Sequence, residues 1–183
     1  MQTIVSNSSQ KDKSAQSTDR AETNWYAIYT RAHHEKRVSE QLCERSIEHF
    51  LPLYRSVRRW KDRRKELQLP LFPGYVFVKF ALRERLRVLQ IPSVVRLVSF
   101  GGDPAPLREE EIMGLRHAQE QGLRAQPHPY LALGTKVRIK SGALAGLEGI
   151  LLRRKGGWRV VLSVHQIMRS IAVELDAEDI ARE

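Results

Sequence analysis

Seven basic residues and a single acid occupy positions 55–65, RSVRRWKDRRK. Guanidinium and ammonium groups at this density bind anions rather than transfer protons or attack carbonyls, and nucleic acid is the anion that suits a continuous run. One acid, Asp62 at i,i+4 from Arg58, is too few to make the stretch a solvated helix face, so Arg58, Arg59, Arg63 and Arg64 are candidate phosphate contacts. Trp60 among them offers a ring that could stack on a base, worth about 1–3 kcal/mol, or fold back on a sheet. The residues alone favour neither. A second cationic group, Arg31, His33, His34, Lys36 and Arg37, stands where a strand passes into a helix, and helical N–H groups there favour phosphate. The two adjacent histidines have no nearby Cys or spaced His/Asp partner and are read as surface residues, not as metal ligands.

Next to this charge lies LFPGYVFVKF at 71–80, where a Pro-Gly break opens a run of aromatic and β-branched residues. Period-two alternation puts Val76, Val78 and Phe80 on one strand face and Tyr75, Phe77 and Lys79 on the other. One face must be core, so Val76 and Val78 are assigned inside, and at most about half of the run is left for contact. No Gly-rich phosphate loop, GxSxG or HExxH occurs. GALAGLEG lacks the Lys-Ser/Thr ending of a nucleotide loop and precedes strand-like sequence. The chain is read as a binding protein, not an enzyme, with no cofactor.

The elements that must hold these residues follow from periodicity. WYAIYT suits a buried strand, and HHEKRVSEQLCERSIE a helix with Val38, Leu42 and Ile47 inward. HFLPLYRSV and ELQLP are extended, with the basic run as the arm between them, and RERLRVLQ is a short helix ended by Pro92. VVRLVSF is a strand, GGDPAPL a loop without regular structure, and EEEIMGLRHAQEQG a helix with acids in its first turn, where the dipole favours them. AQPHPY reads as a linker. Beyond it KVRIK, GILLRR, GWRVVLSV and SIAVEL are short strands divided by glycine turns at Gly142, Gly146 and Gly149, which suggests a small barrel.

Composition agrees with binding. The 183 residues carry a net charge of +10, with 19 basic against 12 acidic residues in 24–126 and 9 against 6 in 127–183. Residues 1–23 are polar and charge-balanced and are read as a disordered tail. No run approaches the roughly 18–20 apolar residues of a membrane span, and the first twenty residues lack a signal-peptide core. Cys43, the one cysteine, is read as a small packing residue. The expectation is a cytoplasmic monomer that does not bind membrane.

Taken together, WYAIYT, LFPGYVFVKF, VVRLVSFGG and GTKVRIKSGALAGLEGI occur in the order that resembles the NusG family of transcription elongation factors, over residues 24–180. The SFGGDPAPLREEEI stretch and the long basic arm are similar to its specialised paralogues of the RfaH and UpxY kind. The resemblance implies an α+β chain. A NusG-type domain with a mixed β-sheet flanked by helices would span 24–126, and a KOW β-barrel 134–183 after a linker at 127–133. It implies that Phe72, Pro73 and Tyr75 meet the clamp helices of the largest RNA polymerase subunit, that pausing is suppressed and antitermination promoted on selected operons, and that the basic groups approach non-template or upstream DNA. Through the KOW domain it implies a ribosomal small-subunit protein or a termination factor as partner. The rival reading is a KOW-type RNA- or ribosome-binding protein without a role at polymerase, which leaves LFPGYVFVKF without a purpose.

Overall fold

The computed structural model describes residues 22–60, 63–131, 134–154 and 157–182. In chain order these form β1 (Thr23–Thr30), α1 (Glu35–Glu44), β2 (His49–Phe50), β3 (Leu53–Trp60), β4 (Arg63–Pro70), β5 (Tyr75–Ala81) and a 3-10 turn (Leu82–Glu84). There follow α2 (Arg85–Leu89), β6 (Val94–Leu97), β7 (Ser99–Phe100), β8 (Asp103–Pro104), β9 (Pro106–Leu107) and α3 (Glu109–Glu120). The remainder is strand: β10 (Ala125–His128), β11 (Lys136–Ile139), β12 (Glu148–Arg154), β13 (Gly157–Val164), β14 (Arg169–Leu175) and β15 (Ile180–Arg182). Residues 1–21 of the expected tail lie outside the described residues; Thr23, assigned to that tail, already begins β1.

β1 is the centre of the first sheet, whose order is β2-β5-β1-β6. It pairs antiparallel with β5 from Thr23 opposite Ala81 to Tyr29 opposite Tyr75. Its other edge is shared by β6, at Ile28 opposite Leu97, and β9, at Trp25 opposite Leu107. A strand covered on both faces needs apolar side chains at consecutive positions rather than alternate ones, which is why WYAI is buried throughout. On one face Tyr26, Ile28, Val76, Val78 and Phe80 pack with Val38 and Leu42 of α1 and Val88 of α2. Val76 and Val78 are fully buried, as the alternation predicts.

The opposite face carries Trp25, Ala27, Tyr75 and Phe77 beneath Ile112, Leu115 and Ala118 of α3. This cluster does not stop at the helix. It continues into Leu144, Leu162 and Ile171 of the second half of the chain. Leu162 and Ile171 belong to a six-stranded antiparallel sheet ordered β10-β14-β13-β12-β11-β15, compatible with the small barrel expected there.

Several local expectations are corrected. The basic run is not simply an arm between extended segments: its described residues, 55–60 and 63–65, lie in β3 and β4, which form a two-stranded hairpin of their own. The 101–107 stretch contains short bridging strands, and Leu107 is buried, because edge positions tolerate proline. The expected linker begins as β10, with Pro127 opposite Ile171 at the edge of β14. Cys43 is exposed, since inward Val38 and Leu42 turn its position outward.

Candidate functional site

Residues 71–75 turn the chain from the hairpin into β5. Gly74 takes φ +86, a conformation that side chains with a Cβ rarely adopt, and a Cβ there would sit 3.0 Å from the Tyr29 ring. Three hydrogen bonds fix the turn: Tyr75 N–H donates to Phe72 O at 3.0 Å, Thr30 N–H to Gly74 O at 2.8 Å, and Gly74 N–H to the buried Glu35 Oε1 at 2.7 Å. Phe72 meets Phe77 edge-on at 5.5 Å between centroids, and Tyr75 meets Tyr29 at 5.4 Å.

Pro73 is exposed, but Phe72 and Tyr75, assigned to an exposed surface, are only 1% and 9% exposed. Phe72 belongs to an apolar cluster that residues of both halves of the chain share. Phe72 lines a cavity of about 110 Å³ with Leu115 of α3 and with Leu147, Leu162 and Ile171 of the C-terminal half. At its rim Arg108 donates to Glu111 Oε1 at 2.5 Å, and that carboxylate holds the guanidinium above its ordinary pKa by hydrogen bond and charge. Gln166 Nε2 donates to Pro106 O at 3.3 Å across the same seam.

Closure depends on a glycine. Gly114, in the middle of α3, would place a Cβ 3.0 Å from Leu147 Cδ1 and 3.7 Å from Leu144 Cδ2. A glycine inside a helix costs about 1 kcal/mol relative to alanine, and here it lets the 144–147 loop lie directly on the helix. At the start of α3, Lys79 Nζ donates to Glu109 Oε1 at 2.6 Å and holds that carboxyl below its usual pKa. This tie between β5 and α3 is present above the ordinary carboxylate range and is lost as pH falls through the depressed value.

The first cationic group stands beside the turn. Arg31, His33, Lys36 and Arg37 are exposed, whereas His34 is half-buried with Nδ1 2.8 Å from Ser93 Oγ. His34 therefore anchors the loop to the turn before β6, and Arg31 N–H adds a bond to Ser93 O at 2.9 Å. Sequence reasoning missed Arg96, exposed on β6 with its guanidinium 5.5 Å from the Tyr29 ring centre, and exposed Arg85 and Arg87 of α2, on the sheet face that also carries α1. The alternate arginines of RERLRV were the available signal.

The second cationic group is the hairpin. Its base is held where Leu53 N–H donates to Gln119 Oε1 of α3 at 2.7 Å. The register sets Arg58 opposite Lys65, Arg59 opposite Arg64 and Trp60 opposite Arg63. Arg64 is exposed; the side chains of Arg58, Arg59, Trp60 and Arg63 lie outside the described residues. Nearer the base, Arg55 pairs with Glu66 at 3.4 Å. Among the described residues no three His, Cys, Asp or Glu side chains are grouped to hold a metal, and no helix is long and apolar enough to cross a membrane.

The three segments thus converge on one turn: the hairpin leads into it, α1 pins it through Glu35, and the C-terminal sheet covers it. Comparison with known proteins agrees with this architecture. Residues 23–116 match the family model described as transcription termination factor nusG. The chain is 29% identical to the transcription termination/antitermination protein NusG of Lactococcus lactis, over 85% of this chain and 91% of that one. It is 30% identical to the NusG of Deinococcus radiodurans, over 86% and 98%. The solved structure titled "Domain interaction in Thermotoga maritima NusG" superposes with a TM-score of 0.56 at 22% identity, over 88% of this chain and 97% of that one. The chain belongs to the NusG family of transcription termination/antitermination factors.

Proposed function

We propose that this protein binds RNA polymerase at the clamp helices of its largest subunit through the 71–75 turn and the apolar face beside it, suppresses pausing and promotes antitermination on selected operons. The observation that carries the reading is the placement of Phe72. It sits on an apolar face that the first sheet's own helices leave incomplete and that a separate sheet completes. Such a face suits exchange between an internal and an external partner. Binding polymerase requires the C-terminal sheet to lift, and this frees that sheet for a second partner, a ribosomal small-subunit protein or a termination factor. The hairpin and the 31–37 loop flank the turn and face non-template or upstream DNA, where their charge is matched. The factor works by favouring the active over the paused conformation through differential binding, without chemistry of its own.

Co-purification and titration with core polymerase test this. Phe72→Ala is expected to weaken binding roughly 30-fold or more, the loss that follows from an aromatic hot spot worth about 2 kcal/mol. Because Phe72 is buried, the same change removes about 3–5 kcal/mol of stability, so thermal unfolding is measured alongside. A folded Phe72→Ala protein that binds as the parent does would defeat the reading.

A further inference from the structure

Among the described residues, the buried polar or charged side chains are Thr30, Glu35 and Ser170. Two of the three bracket a single residue. Thr30 donates its backbone N–H to Gly74 O, and the Glu35 carboxylate, 4% exposed, accepts the Gly74 N–H at 2.7 Å. A buried carboxylate is costly unless it is hydrogen-bonded, and an apolar side chain of similar size is often the more stable choice. Glu35 opens α1, directly after the exposed basic loop, and His34 and Arg31 fasten that loop to Ser93.

We infer that Glu35 is a positioning residue that joins the two contact surfaces into one rigid unit, an inference that rests on the polymerase reading above. Its carboxylate fixes the Pro73–Gly74 peptide and hence the directions of Phe72 and Tyr75. The same bond fixes the first turn of α1 and with it Arg31, His33, Lys36 and Arg37. A loop with φ +63 at His33 and a turn with φ +86 at Gly74 have little regular structure to hold them. Backbone bonds hold each separately, and the Glu35 carboxylate adds the side-chain bond that ties the first turn of α1 to Gly74. Glycine at 74 suits a turn set from outside, because its backbone is the most permissive.

The test compares Glu35→Ala and Glu35→Gln in the full chain, reading Gly74 amide exchange, affinity for core polymerase, and affinity for DNA in an assembled bubble. Glu35→Gln retains an acceptor oxygen at the same reach and is expected to stay within about threefold of the parent in all three, since a neutral acceptor replaces a charged one. Glu35→Ala is expected to speed Gly74 exchange at least tenfold and to weaken both affinities at least tenfold. Loss of both with rescue by glutamine but not by Glu35→Met, which fills similar space without an acceptor oxygen, is the signature of positioning; a merely space-filling role would be rescued by methionine as well. If Glu35→Ala does not fold, Glu35→Asp replaces it, because it keeps the charge and withdraws the oxygen by one methylene. Parental Gly74 exchange in the folded variant, or parental affinity on both ligands, overturns the inference. Phe72→Ala run in parallel separates the two readings: if it binds polymerase as the parent does, the polymerase reading fails, while Gly74 exchange and DNA affinity still judge Glu35.

Discussion

Gly114→Leu is expected to part the C-terminal sheet from α3 and to raise the apparent affinity for RNA polymerase. The seam has no space for a long side chain at this position, where even a Cβ would come within 3.0 Å of Leu147. Forcing extra methylenes into a packed contact costs about 1–3 kcal/mol. If the closed form dominates and only the open form binds, that cost appears as a roughly 5- to 150-fold gain in affinity. Leucine is also the better helix former, so α3 itself is strengthened and a loss of helix cannot explain the opening. Gly114→Ala is the control: its Cβ would meet Leu147 Cδ1 at 3.0 Å and Leu144 Cδ2 at 3.7 Å, side-chain ends that can give way, and the seam should stay closed. Distances between paired spin labels on α3 and β13 report opening, and titration with polymerase reports the consequence. An opened seam without a gain in affinity would separate closure from masking and remove the exchange mechanism.

Replacing Arg58, Arg59, Arg63 and Arg64 together with glutamine is expected to flatten the salt dependence of binding to an assembled bubble. Removing one arginine from a phosphate lowers the slope of log affinity against log salt by about 0.9 on duplex and about 0.7 on single strands. Removing all four changes the slope by roughly 3 to 4. The cross-strand register makes the experiment clean. The register sets Arg59 opposite Arg64 and Arg58 opposite Lys65, so neutralising these arginines removes no opposite-charge cross-strand pair and should leave the hairpin folded. Affinity for core polymerase without DNA should be unaltered, because the 71–75 turn is untouched. A parental slope in the four-glutamine protein would place the hairpin against an acidic protein surface instead.

What was legible in the sequence was local. The two faces of β5, the inward face of α1 and the strands of the second half follow from periodicities of two and 3.6, and Gly142 and Gly146 take the positive φ expected in their turn. The composition and spacing of the cationic groups were equally visible. The burial of Phe72 was not, because what covers it lies at Leu147, Leu162 and Ile171, far along the chain and beyond the first sheet. No pattern within LFPGYVFVKF distinguishes a surface closed by a partner from one closed by a remote part of the same chain. Glu35 was invisible for a related reason: a glutamate at the start of a helix is ordinarily a dipole complement, and only the approach of Gly74 gives it a second task. The strand at 125–128 was masked by its prolines, which mark a linker and an edge strand alike.

That strand bears on how far the C-terminal sheet can travel. From Arg124, whose carbonyl accepts the Glu174 N–H at 3.1 Å, to Leu131, whose N–H donates to Ser170 Oγ at 3.2 Å, the connecting chain is zipped along β14. Freed, residues 125–131 would extend the tether by up to about 23 Å. The local concentration of one tethered body at another falls with roughly the −3/2 power of tether length. The zipper thus favours closure: while β10 stays paired with β14 the leash is short, and a short leash returns the sheet to α3 before a weak competitor can take its place.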